Sequence, residues 1–91
     1  MVIAKWAKRQ RFHKDYEKLT IPQRDLVDQK LQDLVKNPRP RGLRFEKLKG
    51  YSNPDVYTFH CDGNYKVSME INGSEAILRR VGTHNDVDRA P

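Results

Sequence analysis

The segment that decides the fold spans residues 57–84 and reads YTFHCDGNYKVSMEINGSEAILRRVGTH. Apolar and polar residues alternate along it, which is the period of a half-buried β-strand. Strands are predicted from Val56 to Cys61, from Tyr65 to Ile71 and from Glu75 to Val81. Loops rich in Gly, Asn and Asp separate them, so the three strands are expected to form an antiparallel meander.

The turn of the last hairpin predicts which residues are neighbours. A two-residue turn at residues 72–73 would place Met69 opposite Ala76 on the buried face. Lys66 would then lie opposite Arg79 on the other face, which we call the outer face.

The loop at residues 62–64 decides the first hairpin. A two-residue turn would bury His60 and expose Phe59, whereas a three-residue loop with a bulge turns Phe59 inward. We therefore predict the three-residue loop, which sets His60 opposite Lys66 and points Cys61 into the core.

The outer face is thus expected to carry His60, Lys66 and Arg79 in one row, with His84 just past the last strand. No carboxylate is expected between these groups, and like charges placed opposite one another cost stability. The row therefore indicates a function, although an ordinary solvated sheet face is the alternative interpretation.

Upstream of the meander the pattern is mainly helical. A short strand at residues 2–6 precedes a helix at about 8–19 and a second helix at about 20–36. Thr20 and Gln23 have the spacing of a capping box at the start of the second helix. A further strand is predicted to begin at Leu43 and Phe45.

These elements predict one α+β domain over residues 1–91, in the order β-α-α-β-β-β-β. An antiparallel helical hairpin would pack on one face of a small antiparallel sheet. The last ten residues, 82–91, are too polar and short to predict an element.

Composition narrows the function. Lys and Arg number 18 against 12 Asp and Glu, which gives a net charge of +6 and a pI near 9.7. This balance suits a polyanion such as nucleic acid, or an acidic protein, but a merely basic surface is an equal alternative. No signal peptide or membrane span is visible, so a cytoplasmic location without membrane contact is expected.

Metal and thiol chemistry are not indicated. Cys61 is the single cysteine, so an intrachain disulfide and a CxxC metal site are excluded. His13, His60 and His84 lack metal-ligand spacing, and no metal or cofactor is expected.

The outer row does match the needs of RNA cleavage without metal. A base must take the proton of a 2′-hydroxyl, a cation must stabilise the phosphorane, and an acid must protonate the leaving oxygen. Histidine suits both proton transfers, and lysine supplies fixed positive charge. His60, His84 and Lys66 fit these roles.

Several short motifs, in this order and spacing, resemble the RelE/ParE superfamily of bacterial toxins over almost the whole chain. They are Lys5-Trp6-Ala7, Asn37-Pro38, Leu48-Lys49-Gly50, the Tyr57 strand, Asn64-Tyr65-Lys66-Val67 and Val81-Gly82-Thr83-His84. The resemblance implies a small sheet carrying a helical hairpin. It also implies cleavage of mRNA in the ribosomal A site and neutralisation by an antitoxin, with which a higher-order complex on operator DNA can form.

The resemblance also implies site residues. Thr58 and His60 stand where relatives often have basic residues, and Lys66 where a Tyr-Arg pair is commoner. His84 falls at the functional position of the YafQ-like branch. Asp88 stands where an aromatic residue is frequent, and could act in proton transfer instead.

The expected catalytic set is therefore His60, Lys66, His84 and Asp88. Expected RNA contacts come from Thr58 and from basic side chains, with Arg39 and Arg41 extending a basic stretch that would suit rRNA or be a solvated loop. The expected basic RNA-binding residues are Arg44, Lys47, Lys49 and Arg79.

Two alternatives to the endoribonuclease stay open. A ParE-like toxin would inhibit DNA gyrase by binding alone, although such members generally lack the His and basic row. A degenerate member would bind only antitoxin and operator DNA, and the departures at Lys66 and Asp88 keep this reading open.

Overall fold

The computed structural model describes residues 1–91 and has the predicted α+β fold. No helix in it is long and apolar enough to cross a bilayer. The elements are β1 (Lys5–Lys8), α1 (Gln10–Glu17), α2 (Ile21–Leu34), a 3-10 turn (Arg41–Leu43), β2 (Glu46–Lys47), β3 (Tyr57–His60), β4 (Tyr65–Asn72), β5 (Glu75–Thr83) and α3 (His84–Arg89).

The sheet is mixed, not wholly antiparallel as predicted. Its strand order is β1-β5-β4-β3-β2, and β1 runs parallel to β5, with Lys5 opposite Glu75 and Lys8 opposite Leu78. The first strand also begins three residues later than predicted, at Lys5 and not at Val2. Both errors concern an edge strand whose partner lies far along the chain, where local sequence carries little information about direction.

The first hairpin has the predicted register. His60 lies opposite Lys66, and Phe59 is fully buried. The carboxylate of Asp62 accepts hydrogen bonds from the backbone N–H groups of Asn64 at 2.7 Å and Tyr65 at 2.8 Å. This local bonding holds the three-residue loop, as Asp does in turns generally.

The second hairpin differs from the prediction by two residues. Its turn residues are Gly73 and Ser74, so Met69 lies opposite Leu78 and not Ala76. Gly73 has φ +62°, the left-handed conformation that glycine adopts without strain. Because side chains alternate with a period of two, this shift leaves the same residues on the buried face.

A β-bulge in β5 corrects the predicted outer row. The register changes between Ser68 and Met69, so that Ser68 lies opposite Arg80 while Arg79 has no partner on β4. Lys66 then lies opposite Gly82 and not opposite Arg79. The extra residue of the bulge explains why neither Arg79 nor Arg80 enters the core, although both stand between buried Leu78 and Val81.

Two further segments differ from expectation. The strand predicted from Leu43 is a 3-10 turn, after which Arg44 takes a left-handed φ of 53°, leaving only a two-residue β2. The C-terminal residues form α3, where no element was predicted. The pattern Thr83-His84-Asn85-Asp86 could have indicated this helix, because the Thr83 side chain caps it by accepting from the N–H of Asp86.

The main core lies between the helices and one sheet face, and Val56 and Val87 are buried outside it. Val87 belongs to α3, which covers part of the outer face. The side chains of the core are those of Ile3, Phe12, Val27, Leu31, Leu34, Leu43, Phe59, Cys61, Val67, Met69, Ala76, Leu78 and Val81.

The predicted capping box at the start of α2 is confirmed. Thr20 Oγ1 accepts from the N–H of Gln23 at 3.3 Å, and Gln23 Oε1 accepts from the N–H of Thr20 at 2.8 Å. Thr20→Ala is therefore expected to lower the free energy of unfolding by about 1 kcal/mol. Urea unfolding measures this, with Ser52→Ala in an exposed loop as the control; equal stabilities of the two variants would contradict the expectation.

Candidate active site

Two histidines from distant parts of the chain meet at one end of the outer face. His60 is the last residue of β3, and His84 is the first residue of α3. Their ring centroids are 4.5 Å apart, with the ring planes at 80°. The backbone N–H of His84 donates to the carbonyl of Asn64 at 3.0 Å, which ties the start of α3 to the loop after His60.

A pocket of about 460 Å³, which we call the histidine pocket, opens at the two histidines. The other residues that line it are Gly42, Arg44, Cys61, Asp62 and Gly63. The buried ring nitrogen Nε2 of His84 has no hydrogen-bond partner. Such a group is costly to leave unpaired, so a polar ligand that reached it would be favoured.

Cys61 lies beside this pocket but is only 3% exposed, as its predicted inward direction requires. Burial raises the pKa of its thiol to about 12. The thiolate is the nucleophilic form of cysteine, and this thiol stays protonated at neutral pH. Cysteine-based chemistry therefore finds no support here.

The pKa of His60 is lowered from its ordinary 6.5. Burial is the largest cause, followed by the positive charge of His84, of Lys66 and of Arg44. The imidazole of His60 is therefore neutral at pH 7 and can accept a proton.

This lowered pKa predicts a pH dependence of stability. Between the folded-state pKa and 6.5 the unfolded chain binds more protons at His60 than the folded chain, so stability rises with pH there. The contribution of neutral His60 to the free energy of unfolding is complete above pH 6.5, and it is lost as the pH falls through the folded-state pKa. Chemical unfolding across this range should show the rise in wild type and a weaker rise in His60→Gln; an NMR titration placing the pKa of His60 at or above 6.5 would contradict it.

Lys66 is adjacent to His60 but is not a free cation. Its side chain is only 6% exposed, and Nζ lies 2.6 Å from Oδ1 of Asp88, whose side chain is 52% exposed. The expectation that no carboxylate enters the outer row was wrong. Asp88 stands four residues after His84 on α3, and the helix brings this carboxylate back over β4.

No family model and no curated protein matches this sequence. Solved structures do match it. A chain of the RelB–RelE antitoxin–toxin complex from Methanococcus jannaschii is 27% identical, with a TM-score of 0.66 over 93% of this chain and 99% of that chain. The chain is a member of the RelE-like toxin superfamily.

Two further structures show the same fold at lower identity. A chain of the DinJ–YafQ toxin–antitoxin complex from E. coli has a TM-score of 0.75 at 16% identity, over 93% of this RelE-like chain and 98% of its own. A chain of the archaeal RelE–RelB complex from Pyrococcus horikoshii has a TM-score of 0.67 at 19% identity, over 91% and 96%. The predicted resemblance is confirmed over nearly the whole length.

The RelE-like fold does not expose all the residues predicted to contact RNA. Thr58 is fully buried opposite Ser68, and the hydroxyl oxygens of both lack hydrogen-bond partners. Thr58 therefore cannot contact RNA in this structure, because its side chain is not accessible. Arg79 is also not in line with His60; its guanidinium donates to Glu70 at 2.7 Å.

The predicted basic stretch remains at the surface of the RelE-like chain. Lys47 lies 3.3 Å from Asp55 and is half exposed, and Lys49 is exposed. Arg39 lies over the ring of Phe45 at 4.4 Å. Arg44 lies between the histidine pocket and a second pocket that Arg39 and Arg41 line.

Sequence reasoning missed three acidic groups that organise the arginines and the loop of this RelE-like chain. Asp15 forms an ion pair with Arg80, and Glu70 forms ion pairs with Arg9 and Arg79. Asp62 accepts a backbone hydrogen bond that holds the loop after His60. No set of three or more His, Cys, Asp or Glu side chains is arranged to hold a metal ion.

Proposed function

We propose that this protein is the toxin of a type II toxin–antitoxin module and cleaves ribosome-bound mRNA as an endoribonuclease. The observation that carries the proposal is the contact of His60 and His84 in an open pocket rimmed by Arg44. Two imidazoles side by side can accept one proton and donate another, which is what cleavage by the neighbouring 2′-hydroxyl requires.

His60 is the proposed base. Its lowered pKa keeps the imidazole neutral, so it can take the proton of the 2′-hydroxyl. The freed oxygen attacks the adjacent phosphorus, the bond to the 5′-oxygen breaks, and His84 donates the proton that this oxygen needs. The products are a 2′,3′-cyclic phosphate and a 5′-hydroxyl, so atoms and charge balance.

Arg44 is the proposed electrostatic group. Its guanidinium lines the pocket and is free of ion pairs, so it can bind the phosphate oxygens in a bidentate manner. It would stabilise the charge that gathers on the phosphorane, where a fixed cation is most effective.

Lys66 and Asp88 are proposed as positioning residues. The Lys66 ammonium lowers the pKa of His60, and Asp88 holds that ammonium in place at 2.6 Å. Lys66 therefore favours the form of His60 that acts as base, and Asp88 transfers no proton itself. This assignment replaces direct phosphate binding by Lys66.

The proposed partners follow from charge and from the structural relatives. The relatives were solved in antitoxin–toxin complexes, which supports an antitoxin as the partner of this chain. A larger complex of toxin and antitoxin on operator DNA is part of the proposal. The exposed basic residues Arg41, Arg44 and Lys49 lie beside the histidine pocket or on the same stretch, where rRNA contact would dock the toxin.

Induction of the protein, followed by parallel mapping of mRNA 5′ ends and plasmid supercoiling, tests the proposal. Ribosome-phased cuts that disappear in His84→Ala are expected. Altered supercoiling with intact mRNA would replace the proposal by gyrase inhibition. If neither effect is observed, the protein only binds its antitoxin.

A further inference from the structure

A further pocket, distinct from the one that Arg39 and Arg41 line, lies at the other end of the outer face. We call it the arginine pocket. Its volume is about 280 Å³, and it is lined by charged residues and two prolines, Pro54 and Pro91. The charged groups that line it are Arg9, Arg11, Glu70, Arg79 and Arg80.

A single carboxylate oxygen organises two of these arginines. Oε2 of Glu70 accepts from Arg9 Nε at 3.2 Å and a terminal nitrogen at 2.8 Å, and from Arg79 at 2.7 Å. Arg79 Nε is buried and has no partner. Glu70 therefore holds two guanidinium groups in fixed positions without using all their donors.

The arginine pocket carries excess positive charge. Arg80 is neutralised by Asp15 of α1 in a two-bond pair, at 2.9 and 3.1 Å. Glu70 offsets one further cation, and Arg11 is exposed without any hydrogen bond or ion pair. Four arginine charges are thus offset by two side-chain carboxylates, those of Asp15 and Glu70, which leaves an excess of two positive side-chain charges.

The segment after α3 orients two of the arginines. The carbonyl of Ala90 accepts from Arg80 at 3.2 Å, and that of Pro91 accepts from Arg79 at 3.4 Å. Guanidinium groups fixed in this way lose little freedom when they bind a planar or tetrahedral anion.

The arginine pocket shares its sheet face with the histidine pocket. Lys66, which is opposite His60, and Glu70 both stand at even positions of β4, so their side chains project from the same face. Four residues of an antiparallel strand separate them, a distance of about 13 Å. A short stretch of nucleic-acid backbone spans such a distance.

The lining distinguishes a phosphate from a protein segment. Protein partners are usually anchored by aromatic or aliphatic side chains in apolar pockets, whereas five of the seven residues that line this pocket are charged. Arginine forks match phosphate oxygens directly.

We infer that the arginine pocket binds a backbone phosphate of the same RNA that is cleaved in the histidine pocket. This inference rests on the proposed function in taking RNA as the ligand. It assigns Arg9, Arg11 and Arg79 to a phosphate subsite away from the reacting bond.

Binding of an RNA oligonucleotide that is 2′-O-methylated at every position tests this subsite, because such RNA cannot be cleaved. Affinity is measured over a range of salt concentrations. The logarithm of the association constant falls as the logarithm of the salt concentration rises. Each lost phosphate contact makes this slope less steep by about 0.7 for a single strand. Arg9→Gln/Arg11→Gln removes this one contact, so its slope should be less steep by about 0.7, and binding should weaken equally for unrelated sequences.

The matched control is Lys5→Gln/Lys18→Gln, which removes the same charge from exposed positions outside the pocket. If the control makes the slope less steep by as much as the arginine variant does, or the arginine variant leaves it unchanged, the inference is wrong. If the arginine variant loses affinity for a short poly-glutamate peptide and not for RNA, the pocket serves an acidic protein segment. Arg11→Gln alone, with a smaller expected change in the same direction, covers the case in which the double variant does not fold.

The same protein separates the two proposals. If the slope is less steep in the arginine variant but the wild-type protein cleaves no mRNA, the arginine pocket is supported and the proposed function is wrong. If the slope is unchanged in the arginine variant and the wild-type protein cleaves mRNA, the proposed function is supported and the inference about the arginine pocket is wrong.

Discussion

Replacement of His84 by alanine is expected to lower the rate of mRNA cleavage by about 100- to 10,000-fold, the usual contribution of a general acid or base. The imidazole is lost, but the backbone N–H of His84 that bonds the Asn64 carbonyl is kept, as is the Thr83 cap of α3. The fold should therefore survive, and single-turnover cleavage on programmed ribosomes measures the effect.

The chain offers a matched control for this substitution. His13 is an exposed histidine on α1 and lines neither the histidine pocket nor the arginine pocket. His13→Ala should cleave at the wild-type rate. If it loses as much activity as His84→Ala, the loss does not come from the pocket.

The double variant sharpens the assignment. If His60 and His84 act in one proton-transfer unit, His60→Ala/His84→Ala should be no slower than about the slower single variant. Fully multiplicative losses would show that the two rings act independently. Unchanged cleavage in all three variants would refute the catalytic role of the pair.

The second large effect is expected at Asp15, which joins α1 to β5. Its carboxylate accepts two hydrogen bonds from Arg80 and one from the backbone N–H of Val81 at 3.2 Å. The side chains of Asp15 and Arg80 are 11% and 16% exposed. Asp15→Ala leaves a largely buried guanidinium and a backbone donor without partners, so a loss of about 3 kcal/mol in unfolding free energy is expected.

A loss of this size takes a large part of the roughly 5–15 kcal/mol that stabilises a typical domain. For a chain of this length it corresponds to a decrease of about 12 °C or more in Tm, which calorimetry measures. Asp25→Ala on the exposed surface of α2 is the control and should change Tm little.

Removal of both charges distinguishes pairing from packing. Asp15→Ala/Arg80→Met no longer buries an unpaired cation, so it should be more stable than Asp15→Ala alone. If it is less stable by the sum of two independent losses, the pair contributes through packing and not through charge.

The sequence alone predicted those parts of the molecule that depend on near neighbours. The loop at residues 62–64 is held by the carboxylate of Asp62, which accepts hydrogen bonds from the backbone N–H groups of Asn64 and Tyr65, so the pairing of His60 with Lys66 depends on local contacts. The capping box at Thr20 is equally local. The length of this loop was predicted from the need to turn Phe59 inward, and the alternation of side chains then set His60 opposite Lys66.

The β4–β5 hairpin marks the limit of such reasoning. Pairings that differ by two residues bury the same side chains, so the apolar pattern cannot choose between them. The bulge that leaves Arg79 unpaired and sets Arg80 against Ser68 is therefore absent from the pattern. At the bulge, Arg80 pairs with Asp15 of α1, a contact between residues far apart in the chain.

Residue types and strand pairing by themselves determined that this protein places an imidazole beside a cation on one sheet face. Only the tertiary structure decided that His84 contacts His60, that α3 brings Asp88 to Lys66, and that β1 runs parallel to β5. The reason is physical: turns and caps are satisfied by adjacent backbone, whereas the partners of a short terminal helix and an edge strand are available only after the rest of the chain has folded.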